Sequence, residues 1–75
     1  MNKAQRKRLG EIETILLDVK CELDGMADEE QEKFDNLSEG LQASERGQTF
    51  EANSEFLKEM VAGLDDALNG LESIV

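Results

Sequence analysis

The chain has 75 residues, enough for one domain at most, and 18 acidic against 8 basic side chains give a net charge of −10. This acidity argues against direct nucleic-acid binding. The chain has no histidine and only one cysteine, so it lacks the usual ligands of zinc and iron. We therefore expect neither a metal site nor a cofactor. Because no long apolar run is present, we expect no membrane span but a soluble, cytoplasmic protein.

The first predicted element is a helix over about residues 3–34. Apolar residues recur there at alternating spacings of three and four, which is typical of a helix seam. The predicted seam consists of Leu9, Ile12, Leu16, Val19, Leu23 and Met26. In this register Cys21 falls on the outward side of the helix, so we expect an exposed thiol.

A connector over about residues 35–47 follows. Asp35 and Asn36 favour turns over a helix interior, so we expect the first helix to end there. Ser38 is placed to cap a short helical turn that includes Leu41, and Ser44 is placed to cap the next helix.

The second long helix is predicted to begin at about Glu45 or Gln48 and to run to about residue 74. Its main seam carries seven-residue spacing again: Phe50, Leu57, Met60, Leu64, Ala67, Leu71 and Ile74. Beside it runs a second apolar line, which consists of Val61, Leu64, Leu68, Leu71 and Val75. An apolar face this wide predicts contact with more than one neighbouring helix.

The predicted fold class is all-α: a single domain over residues 1–75 in which two long amphipathic helices form an antiparallel hairpin. A hairpin of this size leaves part of each seam uncovered, so we expect a homodimer that forms a four-helix bundle. Glycines one heptad apart would let another helix approach closely, although they are also compatible with an ordinary surface. The predicted dimer interface consists of Val61, Gly63, Leu68, Gly70 and Val75.

Carboxylates are plentiful, but the helix faces that carry them are solvated and offer no pocket that would raise a catalytic pKa. We therefore expect a binding protein and not an enzyme. Distinct side-chain chemistry concentrates in the connector, and loops on a rigid scaffold often bind partners. The candidate binding residues are Phe34, Asp35, Asn36, Leu37, Leu41, Gln42, Ser44, Glu45 and Arg46. The alternative is that these residues have only a structural role, in which the apolar ones close the end of the bundle and the polar ones cap helix ends.

The run from Phe34 to Gln42, followed by Ser44-Glu45-Arg46-Gly47, resembles a motif of small acidic helical proteins encoded by phages and prophages of Gram-positive bacteria. In that pattern an aromatic-Asp-Asn-Leu-Pro-Glu turn is followed by Leu-Gln and by Ser-Glu-Arg-Gly, between two acidic helices. The resemblance covers nearly the whole chain, and Ser38 stands where the pattern has proline. It implies a viral accessory gene product and no established activity.

Three functions remain open at this point. The first is a phage-type accessory protein that binds a host or phage protein as inhibitor or adaptor, for example against a host defence system or as an acidic DNA mimic. The second is sequestration of a small anionic or nucleotide ligand, with Arg46 as its charge anchor. The third is a structural module in phage assembly.

Overall fold

A computed structural model describes residues 1–74 of the chain. Helix α1 spans Lys3–Asp35, the short helix α2 spans Glu39–Gln42, and α3 spans Glu45–Glu72. Within the described residues every regular element is helical. α1 and α3 pack against each other along a rod of 58 × 15 × 13 Å, so the expected all-α hairpin is confirmed.

Side chains cap the starts of both long helices. The Asn2 side chain accepts a hydrogen bond from the Gln5 N–H at 2.8 Å, and the Gln5 side chain accepts one from the Asn2 N–H at 3.0 Å. At α3, the Ser44 hydroxyl accepts a hydrogen bond from the Gly47 N–H at 3.4 Å. α1 ends at Asp35, where the Asn36 N–H closes the last turn on the Glu32 carbonyl at 2.9 Å. The expected break at Asp35 and Asn36 is thus confirmed.

The interface between α1 and α3, called the seam below, is rotated from the predicted one. On α1 it consists of Leu9, Glu13, Leu16, Lys20, Leu23, Ala27, Glu30 and Phe34, all buried or half-buried. On α3 it consists of Gly47, Phe50, Ser54, Leu57, Val61, Leu64, Leu68 and Leu71. The predicted seam is therefore wrong at Val19, Met26 and Met60, which are 39%, 49% and 53% exposed, and at Ala67 and Ile74, which are also exposed.

Small residues explain this rotation. Ala27 is fully buried, and the Ser54 hydroxyl, 1% exposed, donates a hydrogen bond across the hairpin to the Ala27 carbonyl at 3.2 Å. This contact brings the two backbones close together, which methionine side chains between the helices would prevent. The Lys20 ammonium also pairs with Asp65 across the seam. Hydrogen bonds and small side chains thus select the second apolar line of α3 over the main one.

No helix within the described residues combines the length and the apolar character needed to cross a bilayer. Cys21 is exposed, as the sequence predicted.

Candidate functional site

One broad side of the hairpin is apolar and uncovered. In two antiparallel helices, the residues that directly precede the seam residues project to the same side of the pair. We call the apolar and small residues in the middle of this side the apolar face: Ile12, Ile15, Val19 and Met26 on α1, with Phe56, Met60, Gly63, Ala67 and Gly70 on α3. Phe56 is 59% exposed and Ile15 is 51% exposed. Several large apolar side chains on this side thus remain about half exposed, with the charged Glu22 and Glu29 among them.

A groove of about 410 Å³ opens on the apolar face. Its lining consists of Met26, Glu29, Glu30, Asn53, Phe56, Leu57 and Met60. The groove lies where Ala27 and Ser54 bring the helices together, because short seam side chains leave space above them. It is open and mostly apolar, which suits an inserted side chain of another protein better than an enclosed small molecule.

Charged groups border the groove on the side of the connector. The Glu30 carboxylate accepts hydrogen bonds from the Lys33 ammonium at 2.9 Å and from the Asn53 amide at 3.3 Å. The Lys33 hydrogen bond first, and that of Asn53 second, lower the pKa of the Glu30 carboxyl. Glu30 therefore stays ionised and forms part of a fixed polar rim.

The connector uses several of its candidate binding residues to hold itself together. The Gln42 amide donates a hydrogen bond to the Phe34 carbonyl at 3.2 Å, which ties α2 to the end of α1. The Ser44 hydroxyl also donates to the Leu41 carbonyl, in addition to capping α3. Asp35 accepts a hydrogen bond from the Gln31 amide at 3.0 Å. These hydrogen bonds within the chain stabilise the turn.

Other candidate residues of the connector remain available at the surface. Leu41 is 53% exposed, and Asn36, Glu45 and Arg46 are also exposed, whereas Phe34 and Leu37 are half-buried. The structure thus brings the nine candidate residues together at one end of the rod. Leu41 is the large apolar side chain that this end presents to solvent.

Arg46 packs on an aromatic ring. Its guanidinium carbon lies 5.6 Å from the centre of the Phe50 ring, and the Lys33 ammonium lies 5.8 Å from the same centre. Such cation–π contacts at exposed sites contribute about 0.5–1 kcal/mol each. They give Arg46 a structural role that does not depend on a bound anion.

The opposite side of the hairpin carries carboxylates. Residues that directly follow seam residues project to this side. Its exposed carboxylates, which we call the acidic side, belong to Asp24, Asp28, Asp35, Glu51, Glu55 and Glu72. The hairpin is therefore two-sided, with apolar contacts available on one side and negative charge on the other.

The residues predicted for a dimer interface fall on different sides of α3. Leu68 is 8% exposed, and Val61, one heptad before it and one after Ser54, is half-buried toward α1. Around Gly63 and Gly70 there is open space, with nothing within 4 Å of where a Cβ atom would lie. Val75 lies outside the described residues. Gly63 and Gly70 are thus the predicted interface residues that the apolar face contains.

Phe56 and Met26 were missed by sequence reasoning as surface residues that line a groove. A signal for Phe56 was present, since it is a large aromatic residue one position before the seam residue Leu57. It could be read only once the register of the seam was known. Met26, by contrast, fits the predicted seam as well as the observed face.

Comparisons of the chain with protein-family models, with curated proteins and with solved structures find no match. The two sides of the hairpin and the connector are therefore the features that bear on function.

Proposed function

We propose that this chain is a small phage-type accessory protein that acts in the bacterial cytoplasm by binding another protein, as inhibitor or adaptor, and that it is not an enzyme. The apolar face is the observation that carries this proposal. Contiguous exposed apolar patches beyond a few hundred Å² are uncommon on monomers and mark interaction sites. The apolar face, with its half-exposed side chains beside an open groove, is the surface of this chain that suits such a contact.

Part of this surface is assigned to self-association. A second copy that covers the apolar face completes a four-helix bundle and removes the half-exposed side chains of both copies from water. Gly63 and Gly70, which are bare at the surface, support this assignment because they allow another helix to approach closely.

Two alanines of α3 provide a matched test of the dimer. Ala67 lies on the apolar face, whereas Ala62 lies on the other side, and both are exposed. We expect the wild-type chain and Ala62→Glu to have twice the 8.4 kDa chain mass in light scattering, and Ala67→Glu to have the mass of one chain. A wild-type chain that is a monomer at the highest concentrations tested would contradict the dimer.

The connector is assigned to recognition of the target protein, because it remains at the end of the rod when the apolar face is covered. Leu41 supplies an exposed apolar contact there, with Arg46 close by in sequence. The test is affinity capture from infected bacterial cells with wild-type protein, Leu41→Glu and the control Leu17→Glu, since Leu17 is 44% exposed and lies away from the connector.

We expect a protein that the wild type and Leu17→Glu retain and that Leu41→Glu loses. Equal retention by all three would refute the assignment of the connector. Retention of phage structural proteins alone would favour the assembly module instead.

A second candidate function, mimicry of a nucleic-acid backbone, is favoured by the acidic side. Its carboxylates lie opposite the apolar face and stay exposed in the proposed dimer. Binding to a nucleic-acid enzyme through this side would weaken strongly as salt rises from about 50 to about 500 mM, and duplex DNA would compete with it. A complex that survives high salt and ignores DNA would rule out mimicry.

A further inference from the structure

We infer that the second copy binds to the apolar face in the antiparallel orientation, so that the connector of each copy lies beside the first residues of the other. This inference rests on the proposed dimer and adds to it the direction and the register. A two-fold axis that lies in the interface, perpendicular to the rod and level with Val19 and Gly63, generates this arrangement.

The charge distribution along α1 favours this orientation over the parallel one. Residues 1–8 contain four basic and no acidic side chains, whereas residues 28–35 contain five acidic side chains and one basic. In the antiparallel dimer the basic segment of each copy lies level with the acidic segment of the partner. A parallel dimer would place like charges together at both ends of the bundle, which costs affinity.

Side-chain size along α3 is complementary in the same register. An antiparallel two-fold axis at Gly63 brings Phe56, seven residues before it, level with the partner's Gly70, seven residues after it. Likewise, Met60 comes level with the partner's Ala67. The open space at Gly70 can therefore receive the half-exposed Phe56 ring.

On α1 the same axis places Val19 opposite its own copy and Met26 opposite the partner's Ile12. Apolar side chains thus meet in these two layers, whereas between them Ile15 lies about level with the partner's Glu22. The groove beside Met26 and Phe56 is then covered by the far end of the partner's apolar face.

The apolar face supplies a large part of the area that a stable dimer needs. Five large side chains, about half exposed and with about 200 Å² of surface each, offer roughly 500 Å² of apolar area per copy. Standard interfaces bury about 800 Å² per partner, so the polar residues around the face, such as Arg8 and Glu29, would supply the remainder.

Disulfide cross-linking of cysteine variants in a Cys21→Ser background tests the orientation. We expect Val19→Cys to form a disulfide-linked dimer by itself, because its two copies meet at the two-fold axis. A mixture of separately made Ile12→Cys and Met26→Cys chains should cross-link to each other. Met26→Cys alone should not, because its two copies lie about 14 residues, or ~21 Å, apart, far beyond disulfide reach.

In the parallel dimer, Met26 lies level with the partner's Phe56 instead. Cross-linking between Met26→Cys and Phe56→Cys chains, with none through Val19→Cys, would overturn the inference while leaving the dimer intact. A wild-type chain that light scattering shows to be a monomer would overturn both the inference and the dimer on which it rests. The two failures are therefore distinguishable.

Discussion

Gly47 is the glycine of the connector whose position leaves no room for a side chain. It is buried in the first turn of α3, and an added Cβ atom would lie 2.6 Å from the Leu41 carbonyl oxygen and closer still to that of Gln42. Both oxygens belong to backbone that the α2 turn holds in place. The first turn of α3 therefore approaches α2 more closely than a side chain at position 47 would permit.

We expect Gly47→Ala to lower the free energy of unfolding by about 1–3 kcal/mol, because the backbone must move to admit the methyl group. Gly25→Ala is the matched control. Gly25 lies inside α1 with nothing within 4 Å of its Cβ position, so alanine should raise stability by about 0.5–1 kcal/mol through helix propensity. Urea unfolding followed by circular dichroism measures both. Equal effects of the two substitutions would contradict the close approach at Gly47.

The Glu30 carboxylate predicts a pH dependence of stability. Its pKa is lowered in the folded chain by the hydrogen bonds from Lys33 and Asn53. A lowered folded pKa contributes stability above the unfolded pKa, and this contribution is lost as the pH falls through the folded pKa. The wild type should therefore be more stable than Glu30→Gln at neutral pH.

The difference between these two proteins should disappear when the pH is taken well below 4.5, the ordinary value for this carboxyl. Thermal unfolding across a pH series measures the difference. Glu29→Gln removes a neighbouring charge from the same groove and is the control. A difference that persists unchanged in acid would show that the carboxylate charge is not the cause.

At the scale of the helices, the ends were predictable and the seam was not. Asn2, Asn36 and Ser44 carry side-chain preferences that mark helix ends within a few residues, so one sequence suffices to read them. The seam depends on Gly47 and Ser54, which lie outside every apolar stripe, and on Ala27, which with Phe34 belongs to a stripe displaced from the predicted seam. Two apolar lines on α3 satisfy the heptad spacing equally well, and only the packing of small residues decides between them.

The connector shows a similar limit for the candidate site. Gln42 and Ser44 have the same polar chemistry whether they bind a partner or stabilise the turn. The structure assigns them hydrogen bonds to Phe34 and Leu41. Sequence alone could locate the cluster at one end of the hairpin, but it could not divide the cluster into bracing residues and residues free to bind.

Ser38 provides a test of the connector as an element. Its φ of −63° is close to the value that proline imposes, and it is the N-cap residue of α2 without a side-chain cap hydrogen bond. We expect Ser38→Pro, the residue found in the pattern that this connector resembles, to stabilise the chain by about 0.4–1 kcal/mol by restricting the unfolded state.

Ala43→Pro is the control, since the Ala43 φ of −78° is also compatible with proline but its N–H donates a hydrogen bond to the Glu39 carbonyl. This variant should be less stable than the wild type. Calorimetry measures both effects. Destabilisation by Ser38→Pro would contradict the expectation that proline fits the backbone of the turn at this position.

At the scale of the whole molecule, the hairpin leaves large apolar side chains uncovered. Ala27 and Leu68 are buried, but Met26, Phe56 and Met60 remain about half exposed in one copy. Covering them in the proposed dimer would couple folding to association. We therefore expect the midpoint of thermal unfolding to rise with protein concentration for the wild type and to be independent of concentration for Ala67→Glu. A wild-type midpoint that does not change with concentration would contradict this coupling.

The length of the rod limits what the exposed Leu41 side chains of two copies could bind together. In the proposed antiparallel pair the two copies of this leucine lie at opposite tips, about one rod length apart, and the rod measures 58 Å. One small target molecule cannot touch both tips, so it gains no avidity from the pair. Two targets, or two distant sites of one large assembly, can be bridged, and the protein then acts as a spacer of defined length.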